Sequence, residues 1–136
     1  MNHIKQTLLI IFCLCLFQNL SLCSEVNSTD EKYSENIIGS WTEGFQVSPY
    51  GISTFGQGGR YEAKIFDNNL KTKLIVSVKG KWWIKDGKLY NVIDSAVPPD
   101  FPLKKEPYID VIADFSNDVL TLIDEDGKKY FKYRVK

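Results

Sequence analysis

The sequence contains one histidine, and its three cysteines all lie within the first 23 of 136 residues. Cys13 and Cys15 lie inside an apolar N-terminal run, and His3 precedes that run. If this segment is removed on export, at most Cys23 remains, so the exported chain has no internal disulfide, no histidine-based catalysis and no histidine-bearing metal site. No cofactor motif is present either. We therefore expect no catalytic residue, no metal and no cofactor, and we expect that the protein is not an enzyme.

Long apolar runs are also scarce, since the only one is LLIIFCLCLF within residues 7–17. It follows a start that carries Lys5 and precedes a polar, small-residue stretch, which is the layout of a secretory signal. A membrane-spanning helix needs roughly 20 apolar residues, so the run is too short to span. We predict a signal peptide over residues 1–23.

Two cleavage sites are consistent with the end of this signal. The stretch Leu20 to Cys23 resembles the bacterial lipobox, which implies that Cys23 is lipidated, whereas an ordinary signal peptidase would cut before Ser24. The sequence predicts an exported protein of the bacterial cell envelope, either lipid-anchored or periplasmic, with secretion as the alternative. Any contact with a membrane would come only through the lipid anchor.

The sequence has no excess charge of either sign, with 17 basic and 17 acidic residues. A nucleic-acid-binding domain needs a net basic face. We therefore expect no nucleic-acid partner.

No segment after the signal shows a convincing amphipathic-helix period. Residues 24–36 are polar and lack any apolar period, which predicts a flexible tether. The folded domain is then residues 37–136.

Alternating apolar and polar residues within 37–136 predict seven or eight short strands. The clearest two flank Asp86-Gly87, a dipeptide typical of tight hairpin turns. In the first of them the alternation places Trp82 in the core and Trp83 outside, and Gly80 is predicted to mark a bulge or a bend. Other strands are predicted from Ile38 through Val47 and over 109–115, where Phe115 shares a face with Ile109 and Val111 and the opposite face carries Asp110 and Ile112.

An open antiparallel meander would expose two strand edges to pairing with other chains, and closure removes both edges. The predicted fold is therefore all-β, a small antiparallel meander β-barrel.

Short motifs in this order resemble those of the small bacterial lipocalin-like domains over about 37–136: Ile38-Gly39-Ser40-Trp41, Gly80-Lys81-Trp82, and Asp126-Gly127 with Tyr133-Arg134. In lipocalins the tryptophan of the first strand packs across the barrel floor against a basic residue of the last strand. The resemblance thus implies that Trp41 and Arg134 form a structural pair that closes the barrel, with the guanidinium stacked on the indole.

The resemblance also implies a small apolar ligand held at the open end of the barrel. The chain is shorter than the larger lipocalins, lacks a C-terminal helix and has no disulfide. Bulky aromatics are frequent between residues 37 and 136, and they favour an interior filled by side chains. An open and a filled interior are both consistent with the sequence.

Two aromatic residues are candidates for binding a protein partner. Trp83 is predicted to face outward among lysines, either anchoring a partner or lying over the lysine stems. Phe101 lies in the proline-rich loop 96–107, which either has a function or only crosses one end of the barrel. The acidic stretch 124–126 is interpreted as a hairpin turn with solvated charges.

Two hypotheses follow. The first is a non-catalytic barrel that binds a small apolar ligand beneath the loop 96–107. The second is a filled barrel that acts as an interaction or inhibitor module on an envelope protein through Trp83 and Phe101.

Overall fold

The computed structural model describes residues 25–44 and 49–136. The predicted signal peptide, with Cys23, lies outside the described residues, and so does Val47, the predicted end of the first strand. Among the helices of the described part, none has the length and apolar character needed to cross a membrane.

Within the described residues, one α-helix precedes eight strands that pair antiparallel in sequence order, and the last strand pairs with the first. The elements are helix α1 (Glu25–Asn36), β1 (Gly39–Thr42), β2 (Tyr50–Gly56), β3 (Arg60–Phe66), β4 (Leu74–Lys85), β5 (Lys88–Val97), β6 (Tyr108–Ser116), β7 (Val119–Ile123) and β8 (Lys129–Arg134). The predicted all-β meander barrel is confirmed. The first strand is shorter than predicted, because β1 ends at Thr42.

The β4–β5 hairpin turns at Asp86 and Gly87, whose φ angles are +52° and +69°. Positive φ at both central residues is what a two-residue turn between right-twisted strands requires. Trp82 is buried and Trp83 is exposed, as the alternation predicts.

The predicted bulge at Gly80 is confirmed, since the β4–β5 register shifts between Lys79 and Gly80. A Cβ atom at Gly80 would overlap the carbonyl oxygen of Val92 on the paired strand. The close approach of the two backbones therefore requires glycine here.

A second register shift, between Ile112 and Asp114, inserts Ala113 as an extra residue in β6. Because side chains alternate along a strand, this shift brings Phe115 to the same side as Ile112, where it packs against the core. The predicted grouping of Phe115 with Ile109 and Val111 is wrong for this reason.

The structure corrects the predicted tether, because residues 25–36 form helix α1. The Asp30 carboxylate accepts hydrogen bonds from the backbone N–H groups of Asp86 (2.7 Å) and Gly87 (2.9 Å). Tyr33 stacks on Phe115 with ring centroids 6.0 Å apart. Tertiary contacts hold a helix that its own polar sequence does not specify.

The apolar core lies at the barrel end that α1 covers, which we call the closed end. The buried core residues are Ile37, Trp41, Phe55, Trp82, Leu89, Ile112, Leu120 and Leu122. Because connections in a meander alternate between ends, the loop 98–107 and the turn 124–128 lie at the opposite end, which we call the mouth.

Candidate ligand-binding cavity

Trp41 and Arg134 meet at the closed end, where the Arg134 Cζ lies 4.3 Å from the Trp41 ring centroid. The same guanidinium donates to the carbonyl oxygens of Asn36 (2.7 Å) and Ile38 (2.9 Å), and its Nε lies 3.3 Å from Asp118 Oδ1. These contacts join α1, β1 and the β6–β7 turn. The pair is therefore part of the barrel floor, away from the mouth.

A cavity of about 700 Å³ opens at the mouth. Much of its wall is apolar, formed by Ile52, Ala63, Ile65, Val78 and Ile93. Phe101 and Leu103 of the loop 98–107 also line it. The interior of the barrel is thus filled at the closed end and open at the mouth.

Polar side chains lie inside this cavity, on strands whose residue pattern did not indicate inward-facing polar groups. They are Ser53, Tyr61, Asn91, Asp110, Tyr130 and Lys132. Four of these residues, Ser53, Asn91, Asp110 and Lys132, are no more than 9% exposed. On β8 the aromatic residues Phe131 and Tyr133 face outward and Lys132 faces inward, so the polar face of that strand forms part of the interior.

Lys132 is held on one side of the cavity by a short polar network. Its Nζ lies 3.3 Å from Glu43 Oε1 in an ion pair and donates to Ser53 Oγ at 3.5 Å. The Tyr61 hydroxyl donates to the same Ser53 Oγ at 3.3 Å. The lysine charge is therefore neutralised at the rim rather than left free for an anionic ligand.

Asp110 shares a hydrogen bond with the Tyr130 hydroxyl. Burial raises the pKa of Asp110, while the bond from Tyr130 and the charge of Lys132 act in the opposite direction. Burial also raises the pKa of Tyr130 and of Tyr61, so both hydroxyls stay neutral and can donate.

Asn91 contributes an unused acceptor. Its Oδ1 is buried and has no hydrogen-bond partner within residues 25–44 and 49–136. A buried polar atom without a partner costs about 1–3 kcal/mol, so the site gains when a donor reaches it. The sequence carried no signal for this residue beyond its place in a predicted strand.

The acidic stretch 124–126 forms a hairpin turn at the edge of the cavity. Asp124 Oδ1 accepts hydrogen bonds from the backbone N–H groups of Asp126 (3.0 Å) and Lys128 (2.8 Å). Glu125 pairs with Lys104 of the loop 98–107 at 2.9 Å, which ties the loop to the turn. In the described part of the chain, no group of three or more histidine, cysteine, aspartate or glutamate side chains could hold a metal ion.

The structure places Trp83 and Phe101 at different parts of the molecule. Trp83 is 40% exposed on the outer wall near the closed end and stacks on Tyr90, with ring centroids 5.2 Å apart and planes at 5°. Phe101 is 38% exposed in the loop at the mouth. The two residues do not form one surface.

No protein-family model matches the chain, and no curated protein matches it. Among solved structures, the NMR structure of a protein from Bacteroides thetaiotaomicron is similar, with a TM-score of 0.53 and 23% sequence identity. The match covers 76% of this chain and 92% of that one. This likeness supports the barrel fold alone.

Proposed function

We propose that this protein is a non-catalytic binding protein that takes a small, largely apolar ligand into its barrel through the mouth. The observation that carries the proposal is the interior volume of about 700 Å³. Small-molecule sites typically enclose 300–1,000 Å³ and combine apolar walls with a few polar groups. The cavity has both properties, and the loop 98–107 adds Phe101 and Leu103 at its opening.

The resemblance to lipocalin-like domains agrees with this proposal, since a ligand in such barrels lies in the interior. A fold supports many functions, so the resemblance adds to the argument from the cavity and does not replace it.

The test is a fluorescence titration with N-phenyl-1-naphthylamine, a neutral apolar probe that brightens in apolar surroundings. Gly51 lines the cavity, and an added Cβ there meets no atom within 4 Å, so Gly51→Phe adds a bulky side chain to the cavity wall from an unobstructed Cβ. We expect the wild type to bind the probe and Gly51→Phe to bind at least about tenfold more weakly, since the ring occupies the ligand's volume.

The matched control is Val111→Phe, which adds a phenyl ring at an exposed position of the outer wall. It should bind the probe like the wild type. Absence of binding by the wild type, or equal binding by Gly51→Phe, would contradict the proposal.

A second candidate function is protein recognition by the outer wall. It is supported by the exposure of Trp83, Val111, Phe131 and Tyr133 and by the stack of Trp83 on Tyr90. The comparison is recovery of partners from an envelope extract by the wild type, Trp83→Ala and the neighbouring exposed variant Lys79→Ala. Equal recovery by all three would rule out the role of Trp83.

We also propose export to the bacterial envelope with lipid attachment at Cys23, supported by the apolar run and the lipobox resemblance. Intact mass spectrometry of protein from the native membrane fraction tests this. A mass for Cys23–Lys136 plus acyl chains is expected, and a mass that begins at Ser24 would contradict the anchor.

A further inference from the structure

The cavity has a marked excess of negative charge. Five carboxylates line it, those of Glu43, Asp110, Asp124, Glu125 and Asp126. Among the described residues, two lysines, Lys64 and Lys132, line it with them. A pocket with one dominant sign of charge attracts ligands of the opposite sign and repels those of the same sign.

Asp110 is the deep member of this set. Glu43 pairs with Lys132 at 3.3 Å and Glu125 pairs with Lys104 at 2.9 Å, whereas Asp110 has no lysine or arginine within 4.0 Å in the described part of the chain. Its hydrogen-bond partner is the neutral hydroxyl of Tyr130. A buried carboxylate without a cationic partner is costly when ionised, so a bound cation would stabilise it.

The unused acceptor of Asn91 lies next to Asp110. In the β5–β6 pairing Asn91 is opposite Tyr108, and Asp110 is opposite Leu89. Asn91 and Asp110 are therefore diagonal neighbours that both face the cavity, at a separation of about 7–8 Å between backbones. One donor group with N–H···O distances of about 3 Å on each side bridges acceptors up to about 6 Å apart, a span that two side chains converging from these backbone positions can provide.

We propose that the ligand carries a primary ammonium group, which donates to Asn91 Oδ1 and to the Asp110 carboxylate. The apolar part of the ligand lies against the apolar side chains of the cavity wall. This inference rests on the proposed function and names its ligand class. An alkylammonium or arylalkylammonium ion satisfies both acceptors, whereas a carboxylate ligand satisfies neither and meets the negative field of the cavity.

Binding of such an ion depends on pH through Asp110. The titratable groups facing that carboxyl are Tyr61 from β3, Tyr130 and Lys132 from β8, and Asp124 and Glu125 from the β7–β8 turn. The two tyrosines stay neutral, so ionisation of the Asp110 carboxyl changes the charge of the site as the pH rises. Because an ammonium ion favours ionised Asp110, its affinity should rise as the pH rises through the pKa of Asp110, which lies above the usual range. Octanoate should show no such rise.

The test is displacement of N-phenyl-1-naphthylamine by three compounds of equal chain length: octylammonium, 1-octanol and octanoate. At pH 7 and low salt we expect octylammonium to bind at least about tenfold more tightly than either of the others, as expected for a charge-assisted hydrogen bond in a buried site. Asn91→Leu removes the neutral acceptor and should weaken octylammonium roughly two- to tenfold without weakening octanoate, which carries no donor at pH 7.

Asp110→Asn should bring octylammonium to the affinity of octanol. Asp114→Asn makes the same charge change at an exposed position of β6 and should leave all three affinities unchanged. The comparison among the three compounds on the wild type stands even if Asp110→Asn does not fold.

The outcomes separate this inference from the proposed function. Probe binding with equal affinities for the three compounds, or with a preference for octanoate, overturns the ammonium assignment and leaves the binding cavity intact. Failure of the probe and of all three compounds to bind overturns both.

Discussion

Arg134 is the residue on which the barrel floor depends most. Its planar face lies on Trp41, its N–H groups bond the carbonyls of Asn36 and Ile38, and its Nε pairs with Asp118. Lysine has a point charge and no planar fork, so it cannot make these contacts together. The role follows from geometry, and the resemblance in sequence had pointed to the same two residues, Trp41 and Arg134.

We predict that Arg134→Lys lowers the free energy of unfolding by about 1–3 kcal/mol, because it loses the stack and at least one charge-assisted hydrogen bond. Urea denaturation followed by tryptophan fluorescence measures the change. Arg60→Lys, at the only other arginine and in an exposed position, should change stability by less than about 0.5 kcal/mol. Equal effects of the two substitutions would contradict the account.

Gly80 gives a second prediction at this scale. Gly80→Ala should destabilise the protein by about 1–3 kcal/mol or more, since the new Cβ overlaps the Val92 carbonyl oxygen and the backbones have to separate. Gly51→Ala, where the Cβ meets nothing within 4 Å, should be neutral or slightly stabilising. Thermal unfolding of the two variants measures the difference. Similar losses of stability in both would show that the bulge does not require glycine.

Among the elements, the β4–β5 hairpin was predictable and β6 was not. Asp86-Gly87 and the alternation on either side of it specify the hairpin locally, and the structure has it with Trp82 buried and Trp83 exposed. In β6 the extra residue Ala113 changes the face of everything after it, and no local signal marks it. The buried carboxylate of Asp110 was missed for a different reason. Alternation assigns polar residues to the outer face of a strand, and this assignment fails where the barrel interior is an open, polar cavity.

Local sequence patterns also fail to predict which face of strand β8 points inward and that helix α1 forms. Alternation in β8 would bury Phe131 and Tyr133, yet Tyr130, Lys132 and Arg134 face inward because the interior there is a polar cavity and a capped floor. Helix α1 forms through contacts with residues more than 50 positions away, which its own sequence cannot reveal.

We predict that Asp30→Ala loosens the contact between α1 and the barrel. It removes both hydrogen bonds to the Asp86-Gly87 turn, so the two turn amides should exchange their hydrogens roughly five- to tenfold faster. Glu31→Ala, at the next and exposed helix position, is the control and should leave their exchange unchanged. Unaltered exchange in Asp30→Ala would mean that the carboxylate does not hold the helix.

For the whole molecule, the apolar core and the proposed binding cavity lie at opposite ends of the barrel. The closed end holds the apolar core, α1 and Arg134, and the mouth holds the cavity and its carboxylates. Buried charges at the mouth lower stability, which is a common property of binding sites. Substitutions at the mouth should therefore change affinity more than they reduce the free energy of unfolding.

The pH dependence of stability follows from Asp110. Because its pKa is raised in the folded state, Asp110 keeps its proton to a higher pH in the folded protein than in the unfolded chain, and its contribution to the free energy of unfolding should fall as the pH rises through the folded pKa. Hydrogen bonding from Thr72 lowers the pKa of Asp67, so its contribution is lost only as the pH falls below about 4.

Denaturation between pH 4 and pH 8 measures this effect. Asp110→Asn should remove the decline and be the more stable protein at pH 7, whereas Asp114→Asn should retain the decline. A decline of the same size in Asp110→Asn would assign it to another group.

The most direct test of the binding cavity is chemical-shift mapping of the ¹⁵N-labelled protein titrated with N-phenyl-1-naphthylamine. We expect the shifts to concentrate at the backbone amides of Gly51, Ser53, Asn91 and Phe101, and we expect the indole N–H resonance of Trp83 to stay unchanged. Shifts confined to Trp83 and the outer wall, or no shifts at all, would contradict a binding site inside the barrel.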